Sequence, residues 1–207
     1  MNRTIMSGVG ALALALGATV GTIGGSAGAT RVPVTFSGPI SCTLAGGYHF
    51  APALTNAGGS QTTVTFKGRL TGCSGSGATS GTATITTGRL IATSSTTVPN
   101  SFGEVTGGLP LPTLTGTIVW KATGGHVTPT TVSLTNQAIS YDTGTTVVSL
   151  YATPVLGAGS FAGQSATAND MVANSSGFTL SVRAGLNGVK SITFGASGST
   201  FTVGGAA

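Results

Sequence analysis

The sequence has 207 residues, of which 40% are hydrophobic, 5% are charged and 35 are glycine, and its formal net charge is +5. Globular domains usually contain about a quarter charged residues. The solvent-facing surface here must therefore be wetted mainly by Ser and Thr hydroxyls and by the backbone. The regularly spaced apolar residues exclude an intrinsically disordered chain. No dense Lys and Arg cluster with interleaved aromatic residues is present, which argues against a nucleic-acid-binding protein.

The N-terminus is typical of a cleavable secretory signal peptide. A positive charge at Arg3 precedes an apolar stretch over 9–20, and Ala-Gly-Ala at 27–29 places small residues where signal peptidase cleaves. We predict a signal peptide over 1–29 and a single mature domain over 30–207, a length that favours one core over two. A retained anchor is the alternative, but the apolar run is shorter than the roughly 18 to 20 residues of a spanning helix. The predicted location is secreted or extracellular, with cell-wall association left open, and no transmembrane helix remains after cleavage.

The first mature segments alternate apolar and polar residues with the period of two that indicates half-buried strands. Val64, Phe66 and Leu70 form the apolar face of one such segment, and Lys67 and Arg69 occupy its opposite face. The run is rich in the branched and aromatic residues that suit a pleated surface. We therefore expect its two bases to point to solvent.

The parity of the apolar residues changes near Gly88. Ile85 and Leu90 cannot face the same side of an unbroken strand, so the pattern predicts a β-bulge between them. The triplet Gly-Arg-Leu occurs at 68–70 and again at 88–90. We attribute this single recurrence to the biased composition and not to a repeat architecture.

The rest of the chain offers no convincing helical pattern. Residues 92–112, which contain several Gly and Pro, are predicted to form the longest loop. The cleanest alternation lies at 178–184, and the Gly-Leu-Asn-Gly that follows at 185–188 contains the Asn-Gly pair favoured in tight hairpins. We therefore predict that the C-terminal third is a meander.

These segments together predict an all-β fold. About a dozen short strands separated by turns favour an antiparallel two-sheet sandwich, Greek-key or jelly-roll-like, with a closed β-barrel as the second choice. An immunoglobulin domain is disfavoured, because its tryptophan lies between two cysteines, whereas Trp120 follows both Cys42 and Cys73.

The two cysteines are expected to form a disulfide bond. Cys42 and Cys73 are the only cysteines of the chain, and an exported protein meets an oxidising environment in which a pair persists. A metal site is disfavoured, because two thiols with only His49 near one of them lack the spacing of a ligand set.

The chain also resembles a family of secreted β-rich proteins of high-GC Gram-positive bacteria to which no activity is assigned. The resemblance rests on Cys42 and Cys73, on Trp-Lys-Ala-Thr-Gly-Gly at 120–125, on Pro-Thr-Thr-Val at 129–132 and on Gly-Ser-Phe-Ala-Gly at 159–163. It implies export and the sandwich, and it transfers no functional residue. The chain differs from the proteins it resembles in having two cysteines where a second pair is frequent.

The inventory of titratable groups leaves little room for catalysis. It contains His49, His126, Glu104, Asp142 and Asp170 besides the bases, the tyrosines and the cysteines. Three scattered acids make neither the carboxylate pair of a glycosidase nor a calcium site favourable, and no nucleophile elbow is present. We therefore predict no catalytic residue, no metal and no cofactor. The alternative is a secreted hydrolase with a site around His126 and Asp142.

Lys67 and Arg69 are the candidate basic binding face, with Arg89, Lys121 and Arg183 as further bases on outward faces. Their expected partner is an anionic cell-wall polymer or another envelope protein. The function that this supports is a non-catalytic extracellular or cell-envelope protein that acts as a binding or structural module. Besides the hydrolase, an envelope pore-forming β-barrel is an alternative, but the chain lacks the aromatic girdles of such barrels.

Overall fold

The computed structural model describes residues 34, 36, 39–75, 83–142, 147–169, 172–173, 179–183, 188–195 and 199–204. The predicted signal peptide at 1–29 lies outside the described residues. The elements in these ranges are β1 (Ile40–Thr55), β2 (Gln61–Ser74), β3 (Thr84–Ser94), β4 (Val98–Pro99), α1 (Phe102–Thr106), β5 (Gly107–Leu111), β6 (Leu114–Thr123), β7 (Thr130–Asp142), β8 (Val147–Leu156), β9 (Ala166–Asn169), β10 (Val172–Ala173), β11 (Thr179–Arg183), β12 (Gly188–Phe194) and β13 (Thr200–Val203).

The all-β antiparallel class is confirmed. The main sheet runs in the order β10-β8-β7-β6-β3-β2-β1-β12-β11. Four further strands pair outside this order: β4 with β2, β5 with β7, and β13 with both β1 and β9. The strands form one continuous sheet that curls as a half-barrel, where the sequence predicted two sheets. Because the sheet curls, its two halves face each other across the interior. The apolar face of the sheet is therefore buried between them.

Strand β1 is the place where the sheet divides. One edge of β1 pairs with β2, while the other edge pairs with β13 from Ile40 to Thr43 and with β12 from Gly46 onward. β13 continues to β9, and an isolated bridge joins Ser165, just before β9, to Val155 of β8. The side of the sheet formed by β13 and β9 therefore returns to β8 and covers the core.

The inner face of the sheet carries the core. Val64, Phe66 and Leu70 of β2 are at most 1% exposed, as their alternation predicted. Phe66 contacts the Tyr48 ring edge-on, with centroids 5.1 Å apart, and stacks on Phe194 at 6.2 Å. These rings connect β1, β2 and β12 through the interior.

A second aromatic cluster joins distant parts of the chain. Phe161 stacks on Phe36 with ring centroids 4.9 Å apart and packs against Trp120 at 5.0 Å. The indole nitrogen of Trp120 donates a 3.0 Å hydrogen bond to the hydroxyl of buried Thr130. The hydroxyl of Ser160 accepts from the backbone of Thr128 at 2.9 Å. The stretches at 120–125, 129–132 and 159–163 thus meet in one part of the core.

Tyr48 and Gln137 form a buried polar pair between β1 and β7. The Tyr48 hydroxyl donates to Gln137 Oε1 at 2.9 Å. Gln137 Nε2 in turn donates to the carbonyls of Pro112 at 2.9 Å and Leu134 at 3.0 Å. Burial raises the pKa of Tyr48 above its usual range, so the phenol stays protonated as the donor that this arrangement needs.

The disulfide bond between Cys42 and Cys73 is confirmed. It joins the start of β1 to the end of β2. Cys42 is 2% exposed and belongs to the core, and Cys73 packs against it. The bond therefore fixes the end of the β1–β2 pair, next to the residues of β1 that pair with β13.

Two local predictions are resolved in the first half of the chain. The bulge is confirmed, because the register of β3 against β6 shifts between Ile85 and Thr87. The prediction of a long loop over 92–112 is wrong, because this segment contains α1 and two short strands. Ser101 caps the helix by accepting a hydrogen bond from the Glu104 backbone at 3.4 Å, and this Ser-x-x-Glu signal begins a helix too short to show an apolar period.

The C-terminal third is not a simple meander. β11 and β12 pair as a hairpin with Arg183 opposite Gly188, and the turn at 184–187 lies outside the described residues. β12 and β13, however, each pair with β1. The division of β1 into two pairing regions separates them, and no local pattern in β12 or β13 signals it.

Within the described residues, no helix has both the length and the apolar character required to cross a membrane.

A close approach of two strands requires glycine at position 47. Gly47 lies opposite Thr193 of β12, and a Cβ on Gly47 would overlap the carbonyl oxygen of Ile192 and lie 2.6 Å from the Thr193 Cα. Both obstacles are backbone atoms, which cannot rotate away as a side chain could. β12 can therefore pair with β1 here only where β1 lacks a side chain.

We expect removal of the disulfide by the double substitution Cys42→Ala and Cys73→Ala to lower the free energy of unfolding by about 3 to 4 kcal/mol. The closed loop has a sequence separation of 31 residues, and the chain-entropy model gives this range for a loop of that size. Urea denaturation of the variant and of the oxidised parent measures the difference. Equal midpoints and slopes would show that the bond adds nothing to the β1–β2 pairing.

The substitution Gly47→Ala should destabilise the protein by about 1 to 3 kcal/mol, the usual cost of forcing atoms into a packed site. Gly103→Ala is the matched control, because a Cβ there has nothing within 4 Å. Its position in α1 predicts a neutral or slightly stabilising effect. Thermal denaturation of both variants tests the close approach, which would be refuted by equal melting temperatures.

Candidate functional site

A groove of about 730 Å³ crosses one face of five neighbouring strands, β12, β1, β2, β3 and β6. Small residues supply much of its lining on the three central strands: Ala45, Gly46, Gly47, Gly68 and Gly88. Where bulky side chains are missing from neighbouring strands, the backbone itself becomes the wall. The groove therefore depends in part on Gly47, the glycine that allows β12 to approach β1.

Four basic residues line this groove. Lys67 and Arg69 lie on β2, Arg89 on β3 and Lys121 on β6, and all four are exposed. The period of two along β2 places Lys67 and Arg69 on the same face. The strand registers add the other two, since Arg89 lies opposite Arg69, and Lys121 lies two residues beyond the position opposite Arg89.

The groove has no acidic partner among its described lining residues. The whole chain contains three acidic residues. Glu104 is the one carboxylate whose side chain lies within the described part, and it belongs to α1. The four cations thus form a local excess of positive charge on a surface otherwise wetted by hydroxyls. Such an excess attracts anions, and salt screens the attraction beyond about 10 Å at 0.1 M.

His49 is part of the same groove. It is half-buried and lines the groove together with Lys67. Burial is the main cause that lowers the pKa of His49 from 6.5, and the positive charge of Lys67 lowers it further. At neutral pH this imidazole is therefore an uncharged hydrogen-bonding group beside the cations.

The structure brings Lys67 and Arg69, the predicted basic face, together with Arg89 and Lys121. For Arg183 the structure describes only the backbone, in β11. His126 is an exposed residue whose carbonyl accepts a 2.9 Å hydrogen bond from the backbone of Val34.

The side chains of both aspartates, including Asp142 of the alternative hydrolase site, lie outside the described part of the chain. Asp142 ends β7 and its side chain is not described, and Asp170 lies outside the described residues. No geometry therefore supports a site around His126 and Asp142. Among the described residues, no group of three or more His, Cys, Asp and Glu side chains could hold a metal ion.

The repeated Gly-Arg-Leu triplet is the signal whose meaning the sequence reasoning missed. Residues 68–70 pair antiparallel with residues 88–90, so that Gly68 lies opposite Leu90, Arg69 opposite Arg89 and Leu70 opposite Gly88. Each leucine enters the core against the glycine of the other triplet, and both arginines reach the groove.

Searches of protein-family models, curated proteins and solved structures find no match to this chain.

The stability of the protein should fall more steeply toward acidic pH in the parent than in His49→Gln. The pKa of His49 is lower in the folded state than the value of 6.5 expected when unfolded. As the pH falls below that value, the unfolded state therefore binds a proton more readily and the free energy of unfolding decreases. Urea denaturation at about pH 7.5 and about pH 5.5 measures the change. A variant whose loss equals that of the parent would contradict the assignment.

Proposed function

We propose that this chain is a non-catalytic, exported binding module that holds an anionic polymer of the cell envelope in its basic groove. The observation that carries the proposal is the convergence of Lys67, Arg69, Arg89 and Lys121 on one groove with no acidic residue among its described lining. In a chain with 5% charged residues, solvation alone does not require four bases at one place.

The size of the groove favours an extended ligand. Five neighbouring strands spaced about 4.8 Å apart span roughly 19 Å, which exceeds the width of a simple anion. Several charged units of one polymer chain can therefore contact the groove at once. Contacts of this kind are individually weak but act together on a single chain.

The disulfide bond supports the extracellular part of the proposal. Disulfides persist in oxidising compartments and are rare in the cytosol, and the Cys42–Cys73 bond is formed. This agrees with the predicted signal peptide at 1–29. Together with the resemblance to secreted β-rich proteins of high-GC Gram-positive bacteria, it makes the anionic polymer of a Gram-positive wall the partner that we propose.

The substitution Lys67→Ala should weaken retention on isolated Gram-positive walls by about 1.5- to 5-fold, the range expected for one exposed ion pair. Lys190→Ala is the matched control, because Lys190 is an exposed lysine of β12 that does not line the groove, and it should bind as the parent does. A sedimentation assay with walls, at increasing salt, measures both. Retention of the parent should decrease as salt increases.

Walls from which the anionic polymers have been extracted separate the polymer from the rest of the envelope. The parent should lose most of its retention on these walls. Undiminished retention, or an equal effect of Lys67→Ala and Lys190→Ala on intact walls, would refute the proposed function.

A further inference from the structure

The paired Gly-Arg-Leu triplets place two arginines directly opposite each other on β2 and β3. Arg69 and Arg89 are Cα partners in the antiparallel ladder, and directly opposed residues have Cβ atoms about 4.5 to 5.5 Å apart. Because the two triplets are identical and run antiparallel, they are related by a local twofold axis. The two arginines therefore occupy equivalent positions on neighbouring strands, and both line the groove.

This pair is unfavourable for the isolated protein. Like charges directly opposite each other destabilise a sheet, and an arginine cannot escape by losing its proton. The neighbours in the same row are Ala45 on β1 and Val119 on β6, and neither can neutralise a charge. Val119 is also 54% exposed, so the row presents two cations between two apolar side chains.

We propose that Arg69 and Arg89 form a phosphate-binding clamp within the groove. A phosphate group has several oxygens in a tetrahedral arrangement, so two guanidinium forks can each make charge-assisted hydrogen bonds to different oxygens of the same group. Lys67 and Lys121, on either side of the pair, add positive charge without a fork. A carboxylate has two oxygens in one plane and matches a single fork.

The clamp specifies the chemistry of the polymer and rests on the proposed function only for the source of the phosphate. A phosphodiester polymer and a phospholipid headgroup contain the same tetrahedral phosphate as the inorganic ion, with at least two unesterified oxygens, one for each fork. The clamp itself can be tested without the wall.

The first experiment measures stabilisation of the full chain by inorganic phosphate at constant ionic strength, with chloride as the reference anion. Phosphate stabilises folded proteins generally, and this part should be the same in the parent and in the control Lys190→Gln. The specific part should be lost in Arg89→Gln, with the dissociation constant for phosphate raised about tenfold or more, as expected for losing hydrogen bonds to a charged group. Equal phosphate-induced shifts in the parent and Arg89→Gln would refute the clamp.

The substitution Arg89→Lys tests whether the planar guanidinium group is required or whether the positive charge is enough. It keeps the positive charge but cannot bind two oxygens side by side, so its affinity for phosphate should fall between those of the parent and Arg89→Gln. Arg69→Gln and Arg69→Lys should give the same order because the pair is symmetric. Affinity of both lysine variants equal to the parent would show that charge alone acts.

A second readout needs no ligand. Removing one of two opposed charges should leave Arg89→Gln at least as stable as the parent at low salt, with a melting temperature up to about 4 °C higher. Added sodium chloride should narrow this difference, because salt screens the repulsion. A lower melting temperature for both Arg89→Gln and Arg69→Gln at low salt would contradict an unneutralised pair.

Three further probes identify the source of the phosphate: a poly(glycerol phosphate) chain, poly-glutamate of equal charge per length, and vesicles with phosphatidylglycerol or with phosphatidylcholine alone. The clamp predicts arginine-dependent binding of poly(glycerol phosphate) that is tighter than that of poly-glutamate. Measurable binding of both polymers with equal affinity would overturn it. If phosphate and its polymer bind through the arginines while wall retention does not require Lys67, the clamp stands and the proposed function fails. Binding to phosphatidylglycerol vesicles without binding to the polymer would instead identify a lipid headgroup as the source.

Discussion

The close approach of β12 to β1 at Gly47 is the constraint on which both the fold and the groove depend. β1 can exchange β13 for β12 along one edge because Gly47 leaves room for the β12 backbone, while Gly46 leaves room for the β2 backbone on the other edge. That exchange divides the sheet and lets one side return to β8, so that a single sheet encloses its own core. The disulfide secures the end of β1 where the exchange begins. The same absence of side chains opens the groove on the outer face, and stability and binding are therefore linked through the same two residues.

The buried polar groups of Tyr48, Gln137 and Trp120 are matched to partners. Gln137 satisfies Tyr48 and two carbonyls, and Trp120 donates to Thr130. Buried groups without partners would cost about 1 to 3 kcal/mol each, so these contacts restrict which strands can lie together. The charged groups of the groove differ from these buried groups in lacking described partners. Half of the eight Lys and Arg residues of the chain line it, and their charges have no described partner within the protein. Polar groups that form hydrogen bonds within the protein stabilise the fold. Charged groups of the groove that lack a described partner indicate a ligand.

Most of the local structure could be predicted from the sequence. The alternation of Val64, Phe66 and Leu70 with Lys67 and Arg69 assigned a strand and both of its faces, because side chains alternate sides along any strand. The parity change around Gly88 predicted the bulge for the same reason. The helix at Phe102–Thr106 was missed, because five residues are too few to display an apolar period and its Ser101 cap is the only signal. The groove could be predicted only in part, since Lys67 and Arg69 could be assigned to one binding face, whereas Arg89 and Lys121 could be assigned only to outward faces of strands whose neighbours were unknown.

The sequence by itself determined the all-β class, the exposed faces of the strands and the disulfide partner, because each of these depends on local period or on a pair with no competitor. Only the tertiary structure decided which strands are neighbours. Nothing local to residues 68–70 states that they pair with 88–90, since many registers would bury the same leucines. The register is selected by the curl of the sheet, by the fit of Leu70 against Gly88 and of Leu90 against Gly68, and by the bulge that precedes them. That selection brings Arg69 opposite Arg89, and it converts two separate arginines into one candidate site.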